Sequence, residues 1–126
     1  MLLNVMYVAL GGAIGATCRY LAGLGVIRLM GPTPFPLGVL GVNILGSGLM
    51  GVFVVLAAHK GLTPMAPFVM TGVLGGFTTF SAFSLEAVTL IERGAIGHAA
   101  LYIGLSVGLS IAALALGMMA ARGVLT

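Results

Sequence analysis

Polar and charged side chains that interrupt long apolar segments are the residues of this chain best suited to chemistry. Such groups are costly at membrane depth unless they are paired, so each is a candidate for ion binding or for an interhelical hydrogen bond. The candidates are Arg19, Asn43, Thr78, Thr79, Ser81, Ser84, Glu86, Ser106 and Ser110. Hydroxyl and amide groups donate hydrogen bonds to anions as well as to carbonyls, so residue type alone leaves both roles open.

For Asn43 and for a pair of serines, the alternatives are a structural hydrogen bond and a role in ion binding. Asn43 lies near the middle of an apolar segment, with Ser47 as its nearest polar neighbour. An interhelical hydrogen bond is the plainer role for this amide, and a ligand role is the alternative. Ser106 and Ser110 are four residues apart, which places both hydroxyls on one face of a helix. There they either bond to carbonyls of their own helix or line a polar path.

The charged candidates inside the segments are Arg19 and Glu86, to which we assign a structural role. They either form a buried pair or extend separately toward the membrane surfaces. His59 and His98 lie near predicted loops without neighbouring Cys or acidic ligands, which argues against a metal site. Cys18 has no second cysteine to pair with, and we expect it to be a small buried apolar residue.

The stretch 72–84 combines helix-breaking and hydroxyl residues at the centre of an apolar segment. Gly75 and Gly76 are poor residues for a helix interior. Thr78 and Thr79 can satisfy the backbone groups that a break would free. The pattern therefore predicts a broken helix, and half-helix ends with exposed carbonyls bind ions in several transporters.

Two aromatic residues follow this break. Phe80 and Phe83 are three residues apart and share one face of the second half-helix. Packing in the core is the usual role of such a pair, and contact with an ion is the alternative.

Four apolar segments must position these groups. The chain has 126 residues, of which 60% are hydrophobic and 6% are charged, far below the roughly one quarter that is charged in soluble domains. A helix of about 20 residues crosses the hydrocarbon core, and the sequence predicts helices at 5–27, 37–58, 66–91 and 96–121. We predict one all-α integral membrane domain covering 1–126, with the first segment retained rather than cleaved as a signal peptide.

Glycine is abundant inside these segments, with 21 in the chain. Small residues spaced four apart let membrane helices approach closely. Three such pairs predict a tightly packed bundle: Gly11 with Gly15, Gly72 with Gly76, and Gly104 with Gly108.

The basic residues are balanced across the predicted membrane. Alternating spans place Lys60 and Arg122 on one side and Arg28 and Arg93 on the other, with Arg19 inside a span. This balance gives no preferred orientation by the positive-inside rule. It predicts insertion in both orientations and an antiparallel homodimer with a two-fold axis in the membrane plane. The alternative is that one residue near a helix end fixes the topology.

Several stretches resemble the CrcB/Fluc fluoride channel family. They are GGAIGATCRY at 11–20, VNILG at 42–46 and GGFTTFSAFS at 75–84, and two serines match in the fourth segment. The resemblance covers essentially the whole chain. It implies a dual-topology homodimer in the cell inner membrane, with two antiparallel pores through which fluoride leaves the cytoplasm passively.

The resemblance also implies the roles of individual residues. It places a structural sodium ion at the dimer centre, bound by the backbone carbonyls of Gly75 and Thr78. It assigns the fluoride pore to Asn43, Phe80, Phe83, Ser106 and Ser110. The family often has Thr where this chain has Val39 and Ala82, so Val39 removes one hydroxyl from the expected polar track.

Other classes of protein fit the sequence less well. A small multidrug antiporter needs an embedded acid in its first span, where this chain carries Arg19. A structural assembly subunit would not need a broken helix and a polar track. An enzyme is not expected, because no nucleophile, base and orienting group cluster together. The expected partners are fluoride, the lipid bilayer and a second copy of the chain, with no nucleic acid.

Overall fold

Helices account for nearly all of the chain. The structure is a computed structural model that describes residues 1–125, and no strand occurs among them. Helix α1 spans Leu2–Met30 and helix α2 spans Leu37–Lys60. Helix α3 spans Phe80–Glu92 and helix α4 spans Ile96–Leu125.

The third span covers Thr63–Glu92, and α3 forms its second half. It begins with a 3₁₀ turn at Thr63–Met65, continues as a π-helix over Pro67–Leu74, and adds one short α-helical turn at Gly75–Phe77. Prolines near the starts of these pieces suit a first helical turn, where an N–H has no intrahelical acceptor.

The four spans are each long and apolar enough to cross a bilayer. The chain is therefore a multi-pass membrane protein. At one or both ends the helices extend a few residues past the predicted segments, because hydropathy marks the part that lies in hydrocarbon while the helix continues into the interface. The loops are short, and each contains a glycine with positive φ: Gly31 at 72°, Gly61 at 66° and Gly94 at 80°.

Helix α1 packs closely against the first half of the third span. A Cβ added at Gly72 would lie 2.9 Å from the Cα of Gly11, and one added at Gly15 would overlap the carbonyl oxygen of Val73. These backbones touch because neither side carries a side chain at the crossing. Two of the three predicted glycine pairs thus meet each other.

Helices α2 and α4 form a second close pair. A Cβ at Gly51 would overlap the Leu114 carbonyl, and one at Gly117 would overlap the Gly48 carbonyl. The third predicted glycine pair behaves differently: a Cβ at Gly104 would meet no atom within 4 Å, and Gly108 is equally open. That pair lies on an outer surface of the chain.

The buried core lies where α2, α3 and α4 converge. Its members are Leu40, Phe83, Ala87, Leu90, Ala99 and Tyr102. Many large apolar residues face outward, as expected of a surface that lipid or a partner covers. Cys18 is among the exposed residues of α1. The expectation that this cysteine is buried is therefore wrong for the single chain, because α1 turns Gly11 and Gly15 rather than Cys18 toward its neighbour.

Candidate ion-binding site

The third span is interrupted at Thr78 and Thr79, which we call the break. Both residues have extended backbones, with φ and ψ of −84° and 157° at Thr78 and −151° and 120° at Thr79. The predicted interruption of the third helix is confirmed. It occurs after the glycine pair, because Gly75 and Gly76 are still helical. Gly76 serves close packing instead, since a Cβ there would lie 2.8 Å from the Gly12 carbonyl oxygen.

Asn43 on α2 binds the break through both ends of its amide. Its Nδ2 donates to the Thr79 carbonyl at 3.0 Å, and the Thr79 N–H donates to its Oδ1 at 2.7 Å. The side chain thus replaces the backbone partners that Thr79 loses by leaving the helix. Of the two roles open to Asn43, the interhelical hydrogen bond is present.

The threonine hydroxyls cap the two half-helices. Thr79 is the N-cap of α3, and its Oγ1 accepts from the Ala82 N–H at 3.1 Å. Thr78 donates its Oγ1–H to the Leu74 carbonyl at 2.9 Å, and its N–H donates to the same oxygen at 3.0 Å. The Thr78 hydroxyl therefore satisfies a carbonyl of the first half-helix, and the Thr79 hydroxyl satisfies an N–H of the second.

Arg19 also contacts the end of the first half-helix. Its Nε donates to the Gly76 carbonyl at 3.1 Å. Arg19 and Glu86 line the same cavity, yet within residues 1–125 they form no ion pair. The guanidinium thus binds a carbonyl next to the break, and Glu86 does not have Arg19 as an ion-pair partner.

Two carbonyls at the break lose their usual helical donors. In a continuous α-helix the N–H of residue i+4 donates to carbonyl i. The donor opposite Gly75 is the Thr79 N–H, which binds Asn43 instead, and the donor opposite Thr78 is the Ala82 N–H, which binds Thr79 Oγ1. Gly75 is also exposed on the surface of the chain. Oxygen atoms in this state fit a hard cation such as sodium.

The five predicted pore residues line one cavity of about 250 Å³ beside the break. Its walls are Asn43, Ser47, Thr78, Thr79, Phe80, Phe83, Ser106, Val107, Ser110 and Ile111. The Oγ atoms of Ser106 and Ser110 are buried and have no hydrogen-bond partner among the described residues. An unpaired buried hydroxyl costs about 1–3 kcal/mol, so a hydrogen-bond acceptor inside the cavity would stabilise these groups.

The aromatic rings form a connected group at this cavity. Phe80 and Phe83 have centroids 5.4 Å apart with planes at 52°. Phe83 is buried, whereas Phe80 is 78% exposed on the single chain. Phe83 in turn contacts Tyr102 of α4, with centroids 5.4 Å apart.

Tyr102, which contacts the cavity residue Phe83, is a buried polar residue that the sequence reasoning missed. It is completely buried, and its hydroxyl lies near that of Ser106 but forms no well-aligned hydrogen bond in the described part of the chain. Tyr102 precedes Ser106 by four residues, as Ser106 precedes Ser110. The same spacing that linked the serines could have identified it.

A larger cavity of about 490 Å³ lies on the other side of the break. Arg19, Glu86, Val39 and Ala82 line it, together with the loop that joins α1 to α2. Thr79 borders both cavities, whereas its partner Asn43 lines only the smaller one. The two positions where the resemblance led us to expect threonine, Val39 and Ala82, border this larger cavity and not the smaller one.

Comparison with known proteins gives a consistent result. Residues 6–118 match the family model described as CrcB-like protein, Camphor Resistance (CrcB). The chain is 83% identical over 126 residues to a protein of Ruegeria sp. (strain TM1040) named fluoride-specific ion channel FluC, with all of both chains covered. It is 64% identical over 122 residues to the protein of that name from Roseobacter denitrificans, covering 96% of this chain and 97% of the relative.

A more distant relative extends the same likeness. The protein of the same name from Agrobacterium fabrum is 52% identical over 123 residues, covering 96% of this chain and 98% of the relative. The family model and these nearly full-length matches cover the spans that carry Asn43, the break and the serines of α4. The chain belongs to the CrcB-like family.

Proposed function

We propose that this chain is a fluoride-selective ion channel that lets fluoride leave the cytoplasm passively and so reduces its toxicity. The observation that carries the proposal is the cavity in which unpaired serine hydroxyls face two phenylalanine rings beside a helix break. The relatives at 52% to 83% identity are named fluoride-specific ion channels, which supports the same function.

The chemistry of the cavity suits a small anion. Fluoride is strongly hydrated, so a pore must replace its water with hydrogen-bond donors. Ser106 and Ser110 offer O–H groups that no protein atom within the described residues occupies. Phenyl rings have positive edges, so Phe80 and Phe83 can hold an anion in an otherwise apolar passage. The site is thus a conduction path and not a catalytic centre.

The proposal includes an antiparallel homodimer in the cell inner membrane. Its support is the balance of Lys60 and Arg122 against Arg28 and Arg93, and the exposure of residues that a channel would not leave against lipid. Phe80 is 78% exposed, and Gly75 is exposed beside carbonyls that lack their helical donors. A second copy packed against this face would cover both and would complete two pores.

The same proposal includes a structural sodium ion between the two breaks. The carbonyls of Gly75 and Thr78 would hold it, two from each copy. When bound, the ion would supply a positive charge that satisfies main-chain oxygens in a dry environment, where unpaired carbonyls are costly.

The test is fluoride efflux from liposomes containing the purified protein, read with an ion-selective electrode. We expect release without ATP or a proton gradient, and strong discrimination against chloride. Phe80→Ile and Phe83→Ile should sharply reduce the flux, because an aliphatic side chain has no positive edge. Phe68→Ile is the matched control, since Phe68 packs on Tyr7 and lines neither cavity.

Two outcomes would contradict the proposal. Efflux that needs an imposed proton gradient would indicate an exchanger. Equal flux in all three variants, with size-exclusion profiles unchanged, would assign Phe80 and Phe83 to packing alone.

A further inference from the structure

Ser47 is a polar residue of the small cavity to which no role has been assigned. It lies on α2 one helical turn after Asn43 and is half-buried. It lines the cavity together with Asn43, Ser106 and Ser110. Its hydroxyl forms no hydrogen bond with any other described residue.

Several other hydroxyls in the spans are bonded within their own helices. Thr17 donates to the Ala13 carbonyl at 2.6 Å, Ser84 to the Phe80 carbonyl at 3.0 Å, and Thr89 to the Leu85 carbonyl at 2.7 Å. This local bonding is the usual way for Ser and Thr to satisfy a hydroxyl in a helix. Ser47 does not use it, so its O–H remains available to the cavity.

The packing of α2 on α4 sets the position of Ser47 along the cavity. Gly48 approaches Ala113, and a Cβ added to it would lie 3.7 Å from the Ala113 carbonyl oxygen. Gly51 approaches Leu114 in the same manner. The turn of α2 that carries Ser47 therefore lies beside the turn of α4 that follows Ser110.

Within residues 1–125, Ser47 has a free donor for an ion in the cavity, whereas the donor of Asn43 is already used. The amide of Asn43 is bound at both ends to the Thr79 backbone, so moving it toward an ion would free two backbone groups. Ser47 can donate without breaking any bond of the break. It is thus the α2 side chain best placed to face the serines of α4.

We propose that Ser47 is an anion-binding residue of the pore, donating its hydroxyl to fluoride opposite Ser110. This inference rests on the proposed channel function and adds a second donor row, on α2, to the one on α4. A small anion between the two helices would accept O–H bonds from both sides. Such an arrangement replaces more of the ion's water than a single row of donors can.

The test is liposome fluoride efflux for wild type, Ser47→Ala and Ser47→Thr. Ser47→Ala should lower the rate about tenfold, the expected size for losing one hydrogen bond to a charged group. Ser47→Thr should retain most of the wild-type rate, because it keeps the hydroxyl. Thr17→Ala is the matched control, since it deletes a hydroxyl that is bound within its own helix and lines neither cavity.

A double substitution tests the pairing with Ser110. If both serines contact the same ion, the loss in Ser47→Ala with Ser110→Ala should be smaller than the product of the single losses. A wild-type rate in Ser47→Ala would overturn the inference, as would equal losses in Ser47→Ala and Ser47→Thr, because those would indicate packing. Absence of fluoride efflux from the wild-type protein would instead overturn the proposed function.

Discussion

Asn43 and Ser106 border the same cavity, yet their polar atoms are in opposite states. Both ends of the Asn43 amide bind the Thr79 backbone, at 3.0 Å and 2.7 Å. The hydroxyl of Ser106 is buried without a partner in the described residues. The bonded amide stabilises the folded chain. The unpaired hydroxyl lowers the stability of the fold, and a bound ion would offset that loss.

Substitution by alanine should therefore separate the two residues. Asn43→Ala leaves the Thr79 N–H and carbonyl unpaired, and we expect it to lower both fluoride efflux and the stability of the protein by about 1–3 kcal/mol. Ser106→Ala should lower efflux while leaving stability unchanged or slightly raised. The measurements are liposome efflux and the size-exclusion profile after heating in detergent. Equal stability of the two variants would contradict the clamping role of Asn43.

At the scale of elements, the third span depends on contacts from two other helices. Helix α2 supplies Asn43 to the break, and α1 supplies Arg19 to the Gly76 carbonyl. Helix α1 can approach because Gly15 presents no side chain to the Val73 carbonyl. The geometry of the break thus requires α1 to lie directly against the first half of the third span.

This dependence predicts a large difference between two glycine substitutions. Gly15→Ala should destabilise the protein by roughly 1–3 kcal/mol, as overpacking usually does, and should reduce efflux by displacing the break. Gly104→Ala should be nearly neutral, since no atom lies within 4 Å of the added Cβ. Thermal stability in detergent and liposome efflux measure both effects. Comparable losses of stability and efflux in the two variants would contradict this prediction and would indicate that another molecule packs against Gly104.

The sequence predicts the elements better than it predicts their partners. Four apolar segments and the interruption of the third follow from composition and from the run of glycine and threonine at 75–79. The residue at which the helix breaks does not, because glycine destabilises a helix interior and also permits close helix contact. Here Gly76 is helical and faces the backbone of α1, so its lack of a side chain permits close packing and does not break the helix.

The hydrogen-bond partners of the polar residues could not be predicted from the sequence, because they are far away along the chain. The partner of Asn43 is 36 residues away and the partner of Arg19 is 57 residues away, each a backbone group on another span. Any residue type can offer such a carbonyl, so no sequence motif marks it. Spacing of four residues, by contrast, linked Ser106 and Ser110 correctly to one cavity. The same spacing would also have indicated the buried hydroxyl of Tyr102, although Tyr102 does not line that cavity.

At the scale of the whole molecule, we expect the balance of charge to govern how the chain inserts. With Lys60 and Arg122 opposed by Arg28 and Arg93, the positive-inside rule predicts no preferred orientation. We expect C-terminal reporters active only in the cytoplasm and only in the periplasm both to give signal. A wild-type signal from one side alone would contradict dual topology.

Added charge should bias this balance. Ala58→Lys with His59→Lys, at exposed positions beside Lys60, should shift the population to one orientation. Efflux should then fall, because parallel copies could not form the proposed two-fold dimer. Glutamine at the same two positions is the matched control, because it changes polarity without adding charge.

The proposed dimer would also explain why the carbonyls of Gly75 and Thr78 lack their helical donors. Each loses its helical donor within one chain, and two breaks meeting on a two-fold axis would gather four such oxygens around one sodium ion. Thr78→Ser should be tolerated, because it keeps both the carbonyl and the hydroxyl that binds Leu74. Thr78→Pro should abolish efflux, because it removes the N–H that closes the first half-helix. Exchanging sodium for a large organic cation on both sides, over hours, should lower dimer stability and efflux in the wild type. Unchanged stability and efflux after that exchange would mean that another group satisfies these carbonyls.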